Sequence, residues 1–262
     1  MDIEIKKIPV IGTAVMKNPC WVKRLYESID YPLENFVIFN NNGKGEITDE
    51  LENLKSIENK FIEKLFICHL PANLGVSAVW NLIIKSYINS PYWIIVNDDV
   101  AFTNGLLEEI SLSADDPEIG MIHPYGGDFG QGAWDLFLIK DFVIQQYGLF
   151  DENLTPAYCE DADYIMRLHN SDIKKICGLS KPYLHGPGLN TEYSTHGSQT
   201  KKSSPEFCRR LNEINLINFE YLNKKWGEGW RYTSPRSLPF DIYPINYTTF
   251  DLNFIRSKNI NV

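Results

Sequence analysis

The 262 residues, 44% apolar and 13% aromatic, suffice for one large α/β domain with a full core, or for a core domain plus an appendage. A net charge of -9 excludes a nucleic-acid surface built from clustered Lys and Arg, and no apolar run approaches the length of a bilayer span. No apolar leader follows Met1-Asp2-Ile3-Glu4, and five scattered cysteines (Cys20, Cys68, Cys159, Cys177, Cys208) form no C-x-x-C pair, so the expectation is reduced thiols in a soluble, cytoplasmic protein.

The first apolar run, Ile8 to Val15, reads as a strand buried on both faces of a parallel sheet. Pro19 and the spacing of Trp21, Val22, Leu25 and Ile29 predict a helix after it. A second strand, Phe36 to Phe39, stops at the turn cluster Asn40-Asn41-Asn42-Gly43-Lys44-Gly45. A helix around 50–62 should lead to a third strand, Lys64 to Leu70. Val76, Val79, Trp80, Ile83, Ile84 and Tyr87 repeat at helical spacing after Pro71-Ala72-Asn73-Leu74-Gly75, and Tyr92 to Val96 is a further strand. This alternation implies a mostly parallel sheet with right-handed crossovers.

Beyond Val100, Gly and Pro punctuation at Pro117, Gly120, Pro124, Gly126, Gly127, Gly130 and Gly132 marks a second half built around a cleft. Trp134 to Ile139 reads as a strand and the stretch to Tyr147 as a helix. A turn at Gly148 to Glu152 precedes a helix over 159–168, and a longer helix spans about Pro205 to Trp226. The tail to Val262 is expected to wrap irregularly over the core.

The strand at 92–96 runs into Asn97-Asp98-Asp99, and open α/β sheets bind ligands beyond the carboxyl ends of their strands. An acidic pair in that place serves either a metal-bound diphosphate or simply a capped turn. Successive strand residues face opposite ways, so Asp98 and Asp99 are expected to do different jobs. Glu160, Asp161 and Asp163 open a helix, where the dipole favours ionised carboxylates. Asp163 and Arg167 stand at i,i+4, the spacing of a structural pair.

Four segments together resemble the inverting glycosyltransferases of family 2, which have the GT-A fold. They are Phe39-Asn40-Asn41-Asn42-Gly43, Asn73-Leu74-Gly75-Val76-Ser77 with Trp80-Asn81, Asn97-Asp98-Asp99-Val100, and Gly148-Leu149-Phe150-Asp151-Glu152 followed by Glu160-Asp161-Ala162-Asp163 and Arg167-Leu168. Lys225-Trp226-Gly227 resembles the ending of many members, so the likeness covers about residues 8–227. Asn stands at 97, and at either 40 or 41, where the family commonly has Asp.

The resemblance implies a Rossmann-like nucleotide-diphospho-sugar transferase domain over 1–200. Residues 1–105 form its nucleotide-binding half and 106–200 its acceptor half, and 201–262 add a helix and an irregular extension. It implies transfer of a hexose-type sugar from a nucleotide-diphosphate sugar to a glycan hydroxyl, with inversion and a divalent cation, Mn²⁺ or Mg²⁺. Asp99 would be the metal ligand, joined by His185 or its rival His196. Thr13, Ala14 and Val15 would back the base, which Asn41 would reach. Asn73 and Gly75 would face base or diphosphate, and Asn97 and Asp98 the ribose or sugar. Asp161 would be the general base, and Trp134 and Tyr158 could stack on the acceptor. A catalytically degenerate sugar-nucleotide binder and a sugar nucleotidyltransferase are the alternatives; the second lacks a Gly-rich phosphate loop at Gly12-Thr13-Ala14-Val15-Met16-Lys17.

Overall fold

The computed structural model describes residues 6–43, 45, 47–124, 134–168, 174–177, 179–189, 198–227 and 252–258. From the N-terminus, β1 (Ile8–Val15), α1 (Pro19–Glu27), β2 (Leu33–Asn40), α2 (Thr48–Glu52), β3 (Ile62–His69), α3 (Val76–Ser86) and β4 (Tyr92–Asn97) alternate as the apolar pattern requires. There follow β5 (Val100–Phe102), α4 (Leu106–Ala114), β6 (Ile119–His123), β7 (Leu136–Lys140), α5 (Asp141–Tyr147), α6 (Glu160–Leu168), β8 (Lys174–Cys177), β9 (Tyr183–His185), β10 (Gly188–Leu189), α7 (Gln199–Lys202), α8 (Pro205–Trp226) and α9 (Leu252–Ser257).

The main sheet has the order β3-β2-β1-β4-β7-β6-β8, and a small sheet β10-β9-β5 stands beside it. β1, β2, β3 and β4 are parallel, whereas β7 runs antiparallel to both β4 and β6. Alternation along β4 divides the core in two. Tyr92, Ile94 and Val96 pack with α1 and α4, while Trp93 and Ile95 pack with α3, α5 and α6. The sheet is thus covered on both faces, which is why its central strands read as unbroken apolar runs.

Gly12 lies where α3 presses closest on β1. A Cβ there would stand 2.5 Å from Cγ2 of Ile83, a fully buried β-branched side chain with little rotamer freedom. Gly12→Ala should therefore cost about 1–3 kcal/mol through overpacking, read as a lower urea midpoint with an unchanged m-value.

Two expectations are corrected. The helix around 50–62 is only α2 plus a 3₁₀ turn over Asn53–Ser56. Asn59 ends it: its side chain donates to the carbonyls of Tyr26 (2.9 Å) and Ile29 (3.2 Å) and accepts from the Phe61 amide (3.0 Å), fixing a turn from which β3 starts. After Val100, the punctuated stretch contains β5, α4 and β6. Leu106, Leu107, Ile110 and Ala114 give α4 its buried stripe, Pro117 lies in the connection to β6, and Gly120 is inside β6. Residues 125–133, with Gly126, Gly127, Gly130 and Gly132, lie outside the described residues, as does most of the tail.

Candidate functional site

β4 delivers its chain to the rim of the sheet and ends at Asn97, so Asp98 and Asp99 occupy the turn into β5. The strand alternation expected to separate them therefore no longer applies, and both line one pocket of about 550 Å³. Asp98 is 7% exposed and Asp99 only 2%. Burial, and then the charge of Asp99, push the Asp98 carboxyl well above its ordinary value.

Antiparallel pairing of β5 with β9 sets Val100 opposite His185, which brings the imidazole beside Asp99. His185 Nε2 stands 3.3 Å from Asp99 Oδ1, and its Nδ1 stands 2.8 Å from Asp135 Oδ2. Asp135 is held in turn by the hydroxyl of Tyr183, which donates to Oδ1 at 2.6 Å. Burial alone would lower His185, but its hydrogen bonds to Asp135 and Asp99 and their charges prevail and raise it to about 10. The backbone behind the pair is braced by Arg24 of α1. Its Nη1 donates to the Gly186 carbonyl (2.5 Å) and its Nη2 to that of Asp99 (2.7 Å), while the Gly186 amide also donates to Asp99 O (2.8 Å).

The pocket's far wall comes from α6 and the loop before it. Glu160 is 7% exposed, its Oε2 has no hydrogen-bond partner among the described residues, and burial followed by the charge of Asp161 raises it well above the carboxylate range. Asp161 lines the same pocket, with Oδ1 accepting from the Ala162 amide at 2.7 Å.

No protein-family model matches the chain. Over 96% of its length it is 21% identical to a galactofuranosyl glycosyltransferase of Leishmania donovani, spanning 75% of that protein. The structure superposes on the mannosyltransferase PcManGT of Pyrobaculum calidifontis, solved with GDP-Man and Mn²⁺, with a TM-score of 0.53 at 12% identity, over 68% of this chain and 58% of that one. For S. aureus TarS 1-349 in complex with UDP-GlcNAc the values are 0.54 and 13%, over 81% and 67%. For GalNAc-T7 with UDP, GalNAc and Mn²⁺ they are 0.64 and 12%, over 98% and 55%. The chain has the GT-A fold. It spans less than two thirds of the mannosyltransferase and of GalNAc-T7.

Ala14, Val15, Asn41, Asn73, Asn97, Asp98, Asp99, Asp161 and His185 all line this one pocket. Trp134 and Tyr158 line it too. Asn41 and Asn73 are tied to each other: Asn41 Nδ2 donates to Asn73 Oδ1 (3.0 Å), and Asn41 Oδ1 accepts from the Leu74 amide (2.8 Å). Thr13 is fully buried one position behind the rim, and Gly75 stands behind the wall at φ +89°, where it opens α3. His196 lies outside the described residues. Sequence reasoning did not single out Asp135 or Arg24, and it named Glu160 only among the acids that open the helix. Asp135 sat inside an expected strand and Arg24 inside a helix, where nothing local distinguishes a support from an ordinary surface charge.

Proposed function

We propose that the chain is an inverting glycosyltransferase. It transfers a sugar from a nucleoside-diphosphate donor to an acceptor hydroxyl, with a divalent cation held by Asp99 and His185 and with Asp161 as general base. The observation that carries this reading is one pocket, beyond the carboxyl ends of β1 and β4, with the Asp99–His185 pair on one wall and Asp161 on another. The likeness to glycosyltransferases solved with Mn²⁺ and nucleotides or nucleotide sugars supports it.

The residues suit a cation. Asp99 Oδ1 is buried beside His185 Nε2, 3.3 Å away, and an oxygen beside an imidazole nitrogen is a donor set acceptable to Mn²⁺. Among the described residues no group of three His, Cys, Asp or Glu encloses a metal, so two protein ligands leave coordination positions for diphosphate oxygens and water. A bound cation there would supply electrostatic stabilisation to the departing diphosphate. Asp135 fixes the ring orientation of His185 from behind.

In the transfer, the acceptor oxygen attacks the anomeric carbon from the face opposite the diphosphate. The bond from that carbon to the phosphate oxygen breaks, the diphosphate leaves with the electron pair, and the acceptor proton passes to the Asp161 carboxylate. Asp98 and Asn97 would bind ribose or sugar, and Ala14, Val15, Asn41 and Asn73 would frame the base. Thr13 and Gly75 would act through the backbone that shapes this wall. Trp134 and Tyr158 offer aromatic faces to the acceptor. Residues 1–200 would form the transferase domain, with 201–262 as its extension.

The test is nucleotide release from UDP-, GDP- and dTDP-sugars with Mn²⁺, with UDP-galactofuranose included because of the Leishmania relative. Asp99→Ala should weaken Mn²⁺ affinity by at least about tenfold, read by isothermal titration. Nucleotide binding without release across an acceptor panel would overturn the transferase reading, and undiminished Mn²⁺ affinity in the variant would remove Asp99 from the metal.

A further inference from the structure

Tyr158 and Cys159 both have left-handed backbone, with φ of +75° and +76°. Side chains other than glycine resist that conformation, so two in succession persist only where neighbours over-determine them. They stand directly before Glu160 and Asp161, and whatever holds their backbone also aims the two carboxylates.

The hold comes from below the pocket. Asn218 of α8 is fully buried, and its Nδ2 donates to the carbonyls of Ala157 (3.1 Å) and Tyr158 (3.0 Å). Its Oδ1 accepts from Lys258 Nζ at 2.6 Å. Lys258 is 1% exposed, and its other hydrogen bonds go to the carbonyls of Asn153 (2.5 Å) and Thr155 (3.1 Å) in the same loop. Three acceptors match the three protons of an ammonium group. The segment carrying Lys258 is anchored on α8. Phe254 stacks on Tyr221 with centroids 4.9 Å apart, and Arg210 Nη2 donates to the Lys258 carbonyl at 2.7 Å.

A buried cation is a costly way to fill space, and an apolar side chain would pack at less expense. What the ammonium adds is direction. All three of its acceptors are loop carbonyls or the side chain that braces the loop.

We propose that Lys258 and Asn218 are positioning residues: the C-terminal turn is a strut that fixes loop 153–159 and, through it, the bearing of Asp161 on the acceptor. The catalytic consequence rests on the transferase reading above; the mechanical one does not. Asn218→Asp separates the two roles of Asn218, because it keeps an oxygen for Lys258 and loses both donors to the loop. Lys258→Met removes the charge at similar length.

In hydrogen–deuterium exchange on the full chain, both variants should speed exchange of the amides of residues 157–161 at least tenfold, with β1 and α3 unchanged. Affinity for UDP with Mn²⁺ should stay within twofold, and nucleotide release should fall at least tenfold in kcat with the donor KM unchanged. Unaltered exchange at 157–161, or a uniform rise across the chain such as simple destabilisation gives, overturns the strut. A protein that exchanges as expected but neither binds nor turns over any donor retains the strut and loses the transferase reading.

Discussion

With Asp161 as the proposed base, replacing it by Asn should lower transfer by about 10²–10⁴-fold at saturating donor, the range that general-base catalysis supplies, while nucleotide affinity should stay within about twofold. The amide keeps the shape of the carboxylate and its capacity to accept the Ala162 amide, a 2.7 Å contact, so α6 still starts in the same place. It cannot take up the acceptor proton. Glu160 does not substitute: burial, the larger of the causes that raise its carboxyl, persists in the variant and disfavours its charged form. The dipole of α6 favours charge on Asp161 in the first turn. Measured as released nucleotide, turnover retained within tenfold in the variant would pass the base role to another group.

Two residues further on, Asp163→Asn should act on stability. Asp163 is fully buried and receives Arg167 Nη2 at 2.5 Å, Lys225 Nζ at 2.7 Å and Trp226 Nε1 at 2.9 Å. It binds α6 to the end of α8. The neutral amide leaves a fully buried guanidinium without its anion, a loss of about 3–5 kcal/mol. For a chain of this size that lowers the melting temperature by roughly 6–20 °C. Burial alone would raise the Asp163 carboxyl, but Arg167 and Lys225 more than reverse this and hold it below its ordinary value. A depressed acid stabilises the folded state above the unfolded-state value, about 4, and that contribution disappears as pH falls through the folded value. The stability gap between wild type and variant, measured by urea titration, should therefore be widest near neutrality and narrow at pH below about 4. A gap independent of pH would show that the cost lies in packing.

Helices and strands that bury one continuous apolar face were readable from periodicity: β1, α1, β2, α3, β4 and α8 appear where the pattern puts them. So was the Asp163–Arg167 pair, because i,i+4 spacing is a local property. α4 escaped notice because the Gly and Pro around it read as loop. The pocket was legible in part, since Asp98, Asp99 and Asp161 sit at the ends of recognisable elements. Its supports were not. Asp135 meets His185 because β7 pairs with β4 and β9 with β5, and Lys258 meets the loop at 153–155 because α9 docks on α8. Such contacts depend on tertiary closure, which leaves no periodic trace in the chain.

Those closures also set an order of assembly. β1 through β4 are neighbours in sequence and form a ladder from short crossovers. The contacts that complete the pocket span far more chain: 162 residues from Arg24 to Gly186, 100 from Gln199 to Asp99, and 105 from Lys258 to Asn153. Each closes a loop whose entropic cost must be met before the contact stabilises anything. A ribosome that has released only the first hundred or so residues can let the central strands collapse. It cannot yet have closed the pocket, because the nascent sheet carries Asp98 and Asp99 without His185, Asp161 or the Lys258 contacts that arrive later.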